Sequence, residues 1–410
     1  MVRQFASVCL MALIITPLAL ADNWPGWRGP TGQGFCEEKN VPVKWSEKEN
    51  VKWKITLADQ GNSTPVVWGE RIFLTQANKG GHVRSIMCFD RADGKKLWQN
   101  DVAYPDKERN WNASWYANAS PATDGERVVV SFGSAGVYCY DVTGKELWKR
   151  TDLGNWEHSF GNSASPVLYG DLAIQWCGPN DGKGKNILLA VDKKTGKTVW
   201  EKEQKAGSWN TPVIFKIDGK DQMLLAMGET LKSFDPKTGD EFWHGKGMTS
   251  YCYAAPLYAN GIAIGMSGYG GAAIGVKVGG TGDITKDQLW RHPKNTQRVG
   301  SGMLIGDHVY MVDENGMPRC YVAKTGEEIW KVEKRPSAGN TWGSMIHAEG
   351  RLYILMRTGE TLILDASPKY NVVGVNHLGK GEQTNSSLAV SNGDIFIRTF
   401  RYLYCIGGNK

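Results

Sequence analysis

The stretch VDKKTGKTVW (residues 191–200) decides the fold of this chain, because the sequence writes it again and again. FDRADGKKLW (89–98), YDVTGKELW (140–148), FDPKTGDEFW (234–243) and YVAKTGEEIW (321–330) are variants of one phrase. The glycine precedes the tryptophan by four residues in each of the five pairs Gly94/Trp98, Gly144/Trp148, Gly196/Trp200, Gly239/Trp243 and Gly326/Trp330. A fixed even offset in a strand turns every indole to the same face. The glycine suits the positive-φ position of a hairpin turn, where a Cβ would clash. Asp90, Asp141, Asp192 and Asp235 stand where a carboxylate accepts hydrogen bonds from turn N–H groups. The phrase therefore reads strand, tight turn, strand.

A second phrase opens each unit. It runs from NSTPVVWGERIFL (62–74) through SASPVLYGDLAIQ (163–175) to NSSLAVSNGDIFI (385–397), and has eight copies. Each is an apolar strand, a Gly/Asp/Asn turn and a second alternating strand. The tryptophans Trp53, Trp98, Trp148, Trp200, Trp243, Trp290 and Trp330 return at gaps of 45, 50, 52, 43, 47 and 40 residues, the length of one four-stranded propeller blade. The last opening ends at LYCIGG (403–408) without its tryptophan strand, whereas VKWKITL (51–57) is a tryptophan strand that precedes any opening. Joining the two closes the circle. The fold expected is all-β, an eight-bladed β-propeller of four-stranded antiparallel blades, with the N-terminal strand completing the last blade. Two units depart from the pattern. The fifth places Trp290 eight residues after Gly282, and the seventh has Val373 eight places after Asp365 where tryptophan is expected. The ring should be least regular there.

Composition agrees: 50 glycines and 17 tryptophans in 410 residues favour many short strands and turns over helices. Residues 1–21, with Arg3 before an apolar run ending Ala19-Leu20-Ala21, read as a cleavable secretory signal. Residues 22–44 then form an extended lead-in and 45–410 the propeller. No later segment is apolar enough to span a membrane. Loss of Arg3 lowers the formal charge from +6 to +5, too small an excess to mark a nucleic-acid face. Periplasmic or secreted localisation and a monomer are expected. Seven cysteines follow the signal, with no CxxC and no adjacent pair. Cys88, Cys139, Cys320 and Cys405 share one repeat position with Ala190 and Ser233, a small buried slot rather than a disulfide site. Spacing leaves the pairing of Cys36, Cys177 and Cys252 open.

The aspartate, Thr-Gly-Lys and tryptophan at these spacings, together with the opening WPGWRGPTGQG (24–34), resemble the pyrroloquinoline-quinone-like (PQQ-like) repeat family of eight-bladed propellers. The resemblance covers residues 24–410. In quinoprotein alcohol dehydrogenases the phrase is the tryptophan-docking motif, and it is architectural. The same repeats build the propeller of outer-membrane barrel assembly, which holds no quinone. The resemblance thus implies docking roles for the seven tryptophans and is silent on activity. In the dehydrogenases a tryptophan and a vicinal disulfide sandwich the quinone, and calcium is held by Glu, Asn and Asp. This chain lacks the adjacent cysteine pair and any CxxCH, so no cofactor is expected, and PQQ with calcium stands only as the alternative.

No catalytic, metal or cofactor-binding residue is assigned by motif. HExxH, GxSxG and P-loop patterns are absent, and the seven histidines are scattered without ligand spacing. The loop PNDGKGKN (179–186) lacks the oxygen ligands of a calcium site. One region is richer. The segments that lead into the inner strands carry aromatics and amides, and they should crowd one mouth of the channel. Trp111, Trp115, Tyr116, Asn118, Trp156, His158, Trp209, Tyr251, Tyr253, Arg298 and Trp342 form this candidate funnel, with Asn62, Asn162, Asn210 and Asn385 adding amides. The competing reading has the aromatics plugging the axis and the asparagines bonding turns. Either way, a protein partner or small ligand would be met at the blade rims or the channel mouth. A divergent quinoprotein-type oxidoreductase and a carbohydrate binder or hydrolase are the other readings. The last lacks a carboxylate pair at recognisable spacing.

Overall fold

The computed structural model describes residues 23–408 except 79, 107, 110–114, 182–183 and 295–298. The expected signal segment, Trp111 and Arg298 lie outside the described residues. Among these, the strands form eight small sheets, and the only helical pieces are two single turns of 3-10 helix. Blade three sets the pattern. Its strands Val167–Tyr169, Leu172–Cys177, Asn186–Asp192 and Thr198–Gln204 lie side by side in chain order, each antiparallel to the last. Blades one (66–103), two (122–150), four (213–246), five (257–292), six (303–322) and seven (346–377) follow the same course. The short first strands of neighbouring blades touch, so they line the axis. Blade eight takes three strands from the C-terminal end and Val51–Thr56 as its outermost, with Trp53 opposite Cys405. The ring is closed as the repeat count requires.

The repeated letters act between blades. The indole N–H of Trp53 donates to the Arg91 carbonyl (3.0 Å), Trp98 to Val142 (3.1 Å), Trp148 to Lys193 (2.9 Å) and Trp200 to Pro236 (3.3 Å). Trp290 donates to Ala323 (2.7 Å) and Trp330 to Pro368 (2.9 Å). Each acceptor is in the outer turn of the next blade. The glycine of that same turn lies flat on the indole: a Cβ at Gly144 would stand 2.8 Å from the Trp98 ring, and one at Gly196 2.8 Å from Trp148. These glycines have φ of +95° and +72°. The aspartates hold the turn as expected. Asp192 Oδ1 accepts from the backbone N–H of Lys194 and Thr195 and from the Thr195 hydroxyl, and that hydroxyl leads the contacts that lower its pKa.

The outer ladder slips by one residue in seven blades, and in six of them the bulge precedes the tryptophan. The slip leaves Leu97, Leu147, Val199 and Leu289 outside the ladder and exposed, while the next residue, the indole, turns into the seam. Simple alternation does not foresee it. The small slot is also explained: Cys88, Cys139, Ala190, Ser233, Gly275 and Cys405 lie directly opposite the tryptophan of their own blade. Close packing against an indole leaves no room for more.

None of the seven cysteines described is in a disulfide and all are buried, Cys36, Cys177 and Cys252 included. Burial pushes the thiols of Cys88, Cys139, Cys252, Cys320 and Cys405 up to about 12. At pH 8 only roughly one such thiol in ten thousand is ionised, and the thiolate is the reactive form. A chromogenic disulfide reagent should therefore leave the native protein unlabelled for hours and titrate all seven thiols at once in denaturant. Rapid labelling of the native chain would contradict this packing.

Two of the three irregular blades, five and seven, fall where expected. The long turn of blade five lays Gly282–Asp283 as a fifth, parallel strand on the outer edge of blade four. Trp243 then has no turn carbonyl to meet and donates within its own blade, to Gln222 Oε1 (2.9 Å). Blade six corrects the expectation of four strands throughout. It has three, and its outer segment keeps one bridge, Tyr321 to Glu328, and the bond from Ile329 N–H to Cys320 O (2.7 Å). Pro318 faces the same edge two residues before Cys320 and has no N–H to give, so the ladder stops. Blade seven lacks its own indole, and the segment that follows the lead-in supplies one. Trp45, 2% exposed, packs among Tyr353 and Ile363 of blade seven and Phe396 and Tyr404 of blade eight. Its backbone N–H is held by Asn376 Oδ1 (2.9 Å).

The start of the lead-in crosses the axis. Trp24 pairs with Val67 of blade one, and the Pro25 carbonyl accepts from Thr123 N–H of blade two (2.8 Å). Arg28, fully buried, donates to the Gly302 carbonyl of blade six (2.8 Å). Phe35–Cys36 runs parallel to Ile346–Ala348 of blade seven. One segment thus stitches inner strands on opposite sides of the ring and sets Trp27 inside it.

Candidate functional site at the channel mouth

Where seven of the eight inner strands begin, a backbone N–H reaches a hydroxyl of the next blade. Thr64 donates to Ser120 (2.8 Å), Ser120 to Ser165 (2.9 Å) and Ser165 to Thr211 (2.9 Å). Ala255 donates to Ser301 (2.9 Å), Ser301 to Ser344 (3.0 Å), Ser344 to Ser387 (2.9 Å) and Ser387 back to Thr64 (3.3 Å). The circle breaks between blades four and five, where Ala255 has no hydroxyl to offer Thr211. Buried backbone groups demand partners. Here they obtain them from the neighbouring blade, which fixes the register of the whole ring at its axis.

Above this circle lies an arc of amides. Asn385 Nδ2 donates to Asn62 Oδ1 (3.3 Å), Asn62 Nδ2 to Asn118 Oδ1 (2.8 Å) and Asn118 Nδ2 to the Asn162 carbonyl (2.9 Å). Asn210 is turned inward, onto Ser208 and the carbonyls of Ala226 and Cys252.

Opposite the arc stands an aromatic wall from blades three to five. Trp209 meets Tyr253 at 4.9 Å, Tyr251 at 5.8 Å and His158 edge-on at 4.7 Å. Phe160 and Tyr269 complete it, 5.9 Å apart. Tyr251 and Tyr269 are 42% and 43% exposed, and both take the left-handed backbone conformation, at φ +68° and +53°. Bulky residues rarely adopt it, and such strain gathers at ligand clamps. On the far side Trp342 lies under the Arg357 guanidinium (4.0 Å), whose Nε donates to Asn385 Oδ1 (2.9 Å).

These walls enclose a cavity of about 150 Å³ floored by Trp27. Asn62, Asn118, Asn210 and Asn385 face it, with Trp209, Tyr253, Tyr269, Phe160, Val299 and Trp342 and the hydroxyls of Thr64, Ser163, Ser165, Thr211, Ser344 and Ser387. Apart from the two tyrosines, no titratable side chain is among them. A second, wider groove of about 880 Å³ starts at Asn385 and runs out between blades seven and eight past Arg357, Glu360, His377, Glu382 and Phe400.

Of the residues the sequence nominated, Asn118, Trp209, Tyr253 and Trp342 line the cavity, and Tyr251 and His158 brace its aromatic wall. Trp115 sits nearby, edge-on to Phe400 at 5.7 Å. Tyr116 turns away to cover Gly81 beside Arg84. Trp156 lies elsewhere: 1% exposed, it fills the seam of blades two and three against Trp148, Val129 and Leu189, with its N–H on the Leu153 carbonyl (3.0 Å). Its alanine variant would be a core truncation rather than a probe of the mouth. Burial, then nearby Arg109, lowers the pKa of His158. Sequence reasoning missed Trp27, Phe160, Tyr269 and the hydroxyl circle. Phe160 and Tyr269 flank glycines in FGN and GYGG, a usable signal, whereas nothing local sends Trp27 to the axis.

Residues 84–332 match the sequence profile of the family described as outer membrane protein assembly factor BamB, well over half of the chain. The chain belongs to this family of PQQ-like repeat propellers. Among solved structures, BamB from Moraxella catarrhalis aligns with a TM-score of 0.61 at 14% identity, over 87% of this chain and 96% of that one. The quinohemoprotein alcohol dehydrogenase of Comamonas testosteroni aligns with a TM-score of 0.71 at 10% identity, over 95% and 81%. At these identities the likeness is one of fold. A curated relative, the 1-butanol dehydrogenase (cytochrome c) of Thauera butanivorans, is 26% identical over 137 residues. That match takes in 32% of this chain and spans only 17% of the dehydrogenase.

Proposed function

We propose that this protein is an exported, non-catalytic PQQ-like propeller, a scaffold that binds a protein or small ligand at its channel mouth. The observation that carries the reading is the chemistry of the mouth: indoles, phenols, amides and hydroxyls converge there on a rigid ring. Such a lining suits recognition through shape and neutral hydrogen bonds. Export rests on the Arg3 segment and its apolar run. No helix among the described residues is long and apolar enough to cross a membrane. A monomer is part of the proposal.

The similarity to part of a 1-butanol dehydrogenase favours a second reading, a divergent quinoprotein-type oxidoreductase. The residues at the mouth fit that cofactor poorly. A calcium-bound quinone needs anionic oxygen donors for the ion and cations for its own carboxylates. The cavity lining, among the described residues, has neither carboxylate nor cation. Cys252, beside the wall, is a lone buried thiol rather than half of a vicinal pair. We therefore derive no step through a quinone. Purified protein supplied with PQQ, calcium, a primary alcohol and an artificial electron acceptor should reduce no dye and should not perturb the quinone spectrum. Quinone-dependent reduction that Trp209→Ala abolishes would replace the binding reading with the enzymatic one.

A further inference from the structure

We propose that the mouth and the groove beside it form one site for an uncharged oligosaccharide, with a terminal sugar in the axial cavity and the following units in the groove. The inference rests on the binding reading above and specifies its ligand.

Three observations carry it. First, the cavity lining pairs flat apolar faces with groups that both donate and accept. A pyranose has that same dual character, an apolar C–H face and a rim of hydroxyls, and the linked amides Asn62, Asn118 and Asn385 set donors and acceptors in one arc of the lining. Secondly, no charged group faces the cavity among the described residues, so an anionic terminus would be desolvated without compensation. A peptide terminus or a phosphate is disfavoured on that ground. Thirdly, the cavity is small and the groove large, and Asn385 belongs to both. Arg357 is fixed between Trp342 and Asn385, so the wall between the two is built rather than loose. A ligand that uses both compartments must be a chain whose end group is about one ring in size.

The exposed tyrosines supply the platform. Tyr251 and Tyr269, held in left-handed backbone at the lip and packed on the aromatic wall, remain 42% and 43% exposed. Side chains kept exposed at a cost in backbone strain are expected where something else covers them.

The test uses the full chain and neutral glucose and N-acetylglucosamine oligomers of one to six units, with a polyuronate of matching length as the charged control. Binding is read by calorimetry and by tryptophan fluorescence. Neutral oligomers should bind, with affinity rising at least tenfold from one unit to about four and then levelling. The polyuronate should not bind. Tyr269→Ala and Asn62→Ala, whose melting curves report that the ring is intact, should each weaken binding at least tenfold. Three results overturn the inference: no response to any neutral oligomer at millimolar concentration, affinity independent of chain length, or binding indifferent to both variants. Should an unrelated peptide or protein bind instead, and should the same two variants weaken it, the mouth remains a binding site and only the ligand class is wrong. If nothing whose binding depends on Tyr269 or Asn62 is found, both readings fall.

Discussion

A chain started at Ala58 should fail to form the ring, whereas one started at Asn23 should unfold in a single cooperative transition. The shorter chain lacks the outermost strand of blade eight and the ladder from Val51–Ile406 to Thr56–Tyr402. It also loses Trp53, docked on the Arg91 carbonyl of blade one, and Trp45, wedged between blades seven and eight. Trp24, Val41 and Leu57 leave the same core cluster. At about 1.5–3 kcal/mol for each large side chain fully buried, the loss is on the order of 10 kcal/mol. That equals the whole net stability typical of a domain, about 5–15 kcal/mol. The exposed edge of Tyr402–Gly407 would in addition seek other chains. Size-exclusion chromatography and urea titration followed by tryptophan fluorescence should report aggregate and no sigmoidal transition. A chain started at Asn50 separates the two contributions. It keeps the closing strand and loses the axial segment, so it should fold with reduced stability. A soluble, cooperatively folded Ala58 chain would mean that closure by the N-terminal strand is dispensable.

How much of this could be read beforehand depended on the range of the interaction involved. The period, the docking tryptophans, the positive-φ glycines and the closure are legible because each repeats, and repetition averages away local ambiguity. Blade five and blade seven announced themselves by breaking the spacing. Features that occur once were not legible. Nothing near Trp27 says that its indole floors a cavity, because its position is set by Trp24 on blade one and Arg28 on blade six. Trp156 has the same company of amides and aromatics as Trp209, yet one fills a seam and the other faces the axis. The loss of the outer strand in blade six was signalled only by Pro318, whose missing N–H matters because it faces the outer edge. The bulge escaped because the offset of four was taken along a regular strand.

The second large effect is expected from the pair Trp148 and Gly196. Trp148→Ala removes a buried indole that donates to the Lys193 carbonyl at 2.9 Å, and should destabilise the protein by about 3–5 kcal/mol. Gly196→Ala should cost about 2–4 kcal/mol. Roughly 1–2 of that is the left-handed backbone at φ +72°, and the remainder is the new methyl at 2.8 Å from the indole. The double variant decides whether these are two facts or one. With the indole gone the added methyl meets a void, so the steric part of the glycine's cost vanishes and the backbone part stays. Urea unfolding of the four proteins should give a double-variant loss smaller than the sum of the singles by about 1–3 kcal/mol. Additivity within about 0.5 kcal/mol would show that the glycine serves only its own turn. Coupling would show that its true partner is the tryptophan of the preceding blade, 48 residues earlier in the chain. In that case the offset of four within each phrase is a by-product: the turn that receives an indole belongs to one blade and the strand that gives it to the blade before, so blade one receives Trp53 because the last blade borrows the first strand.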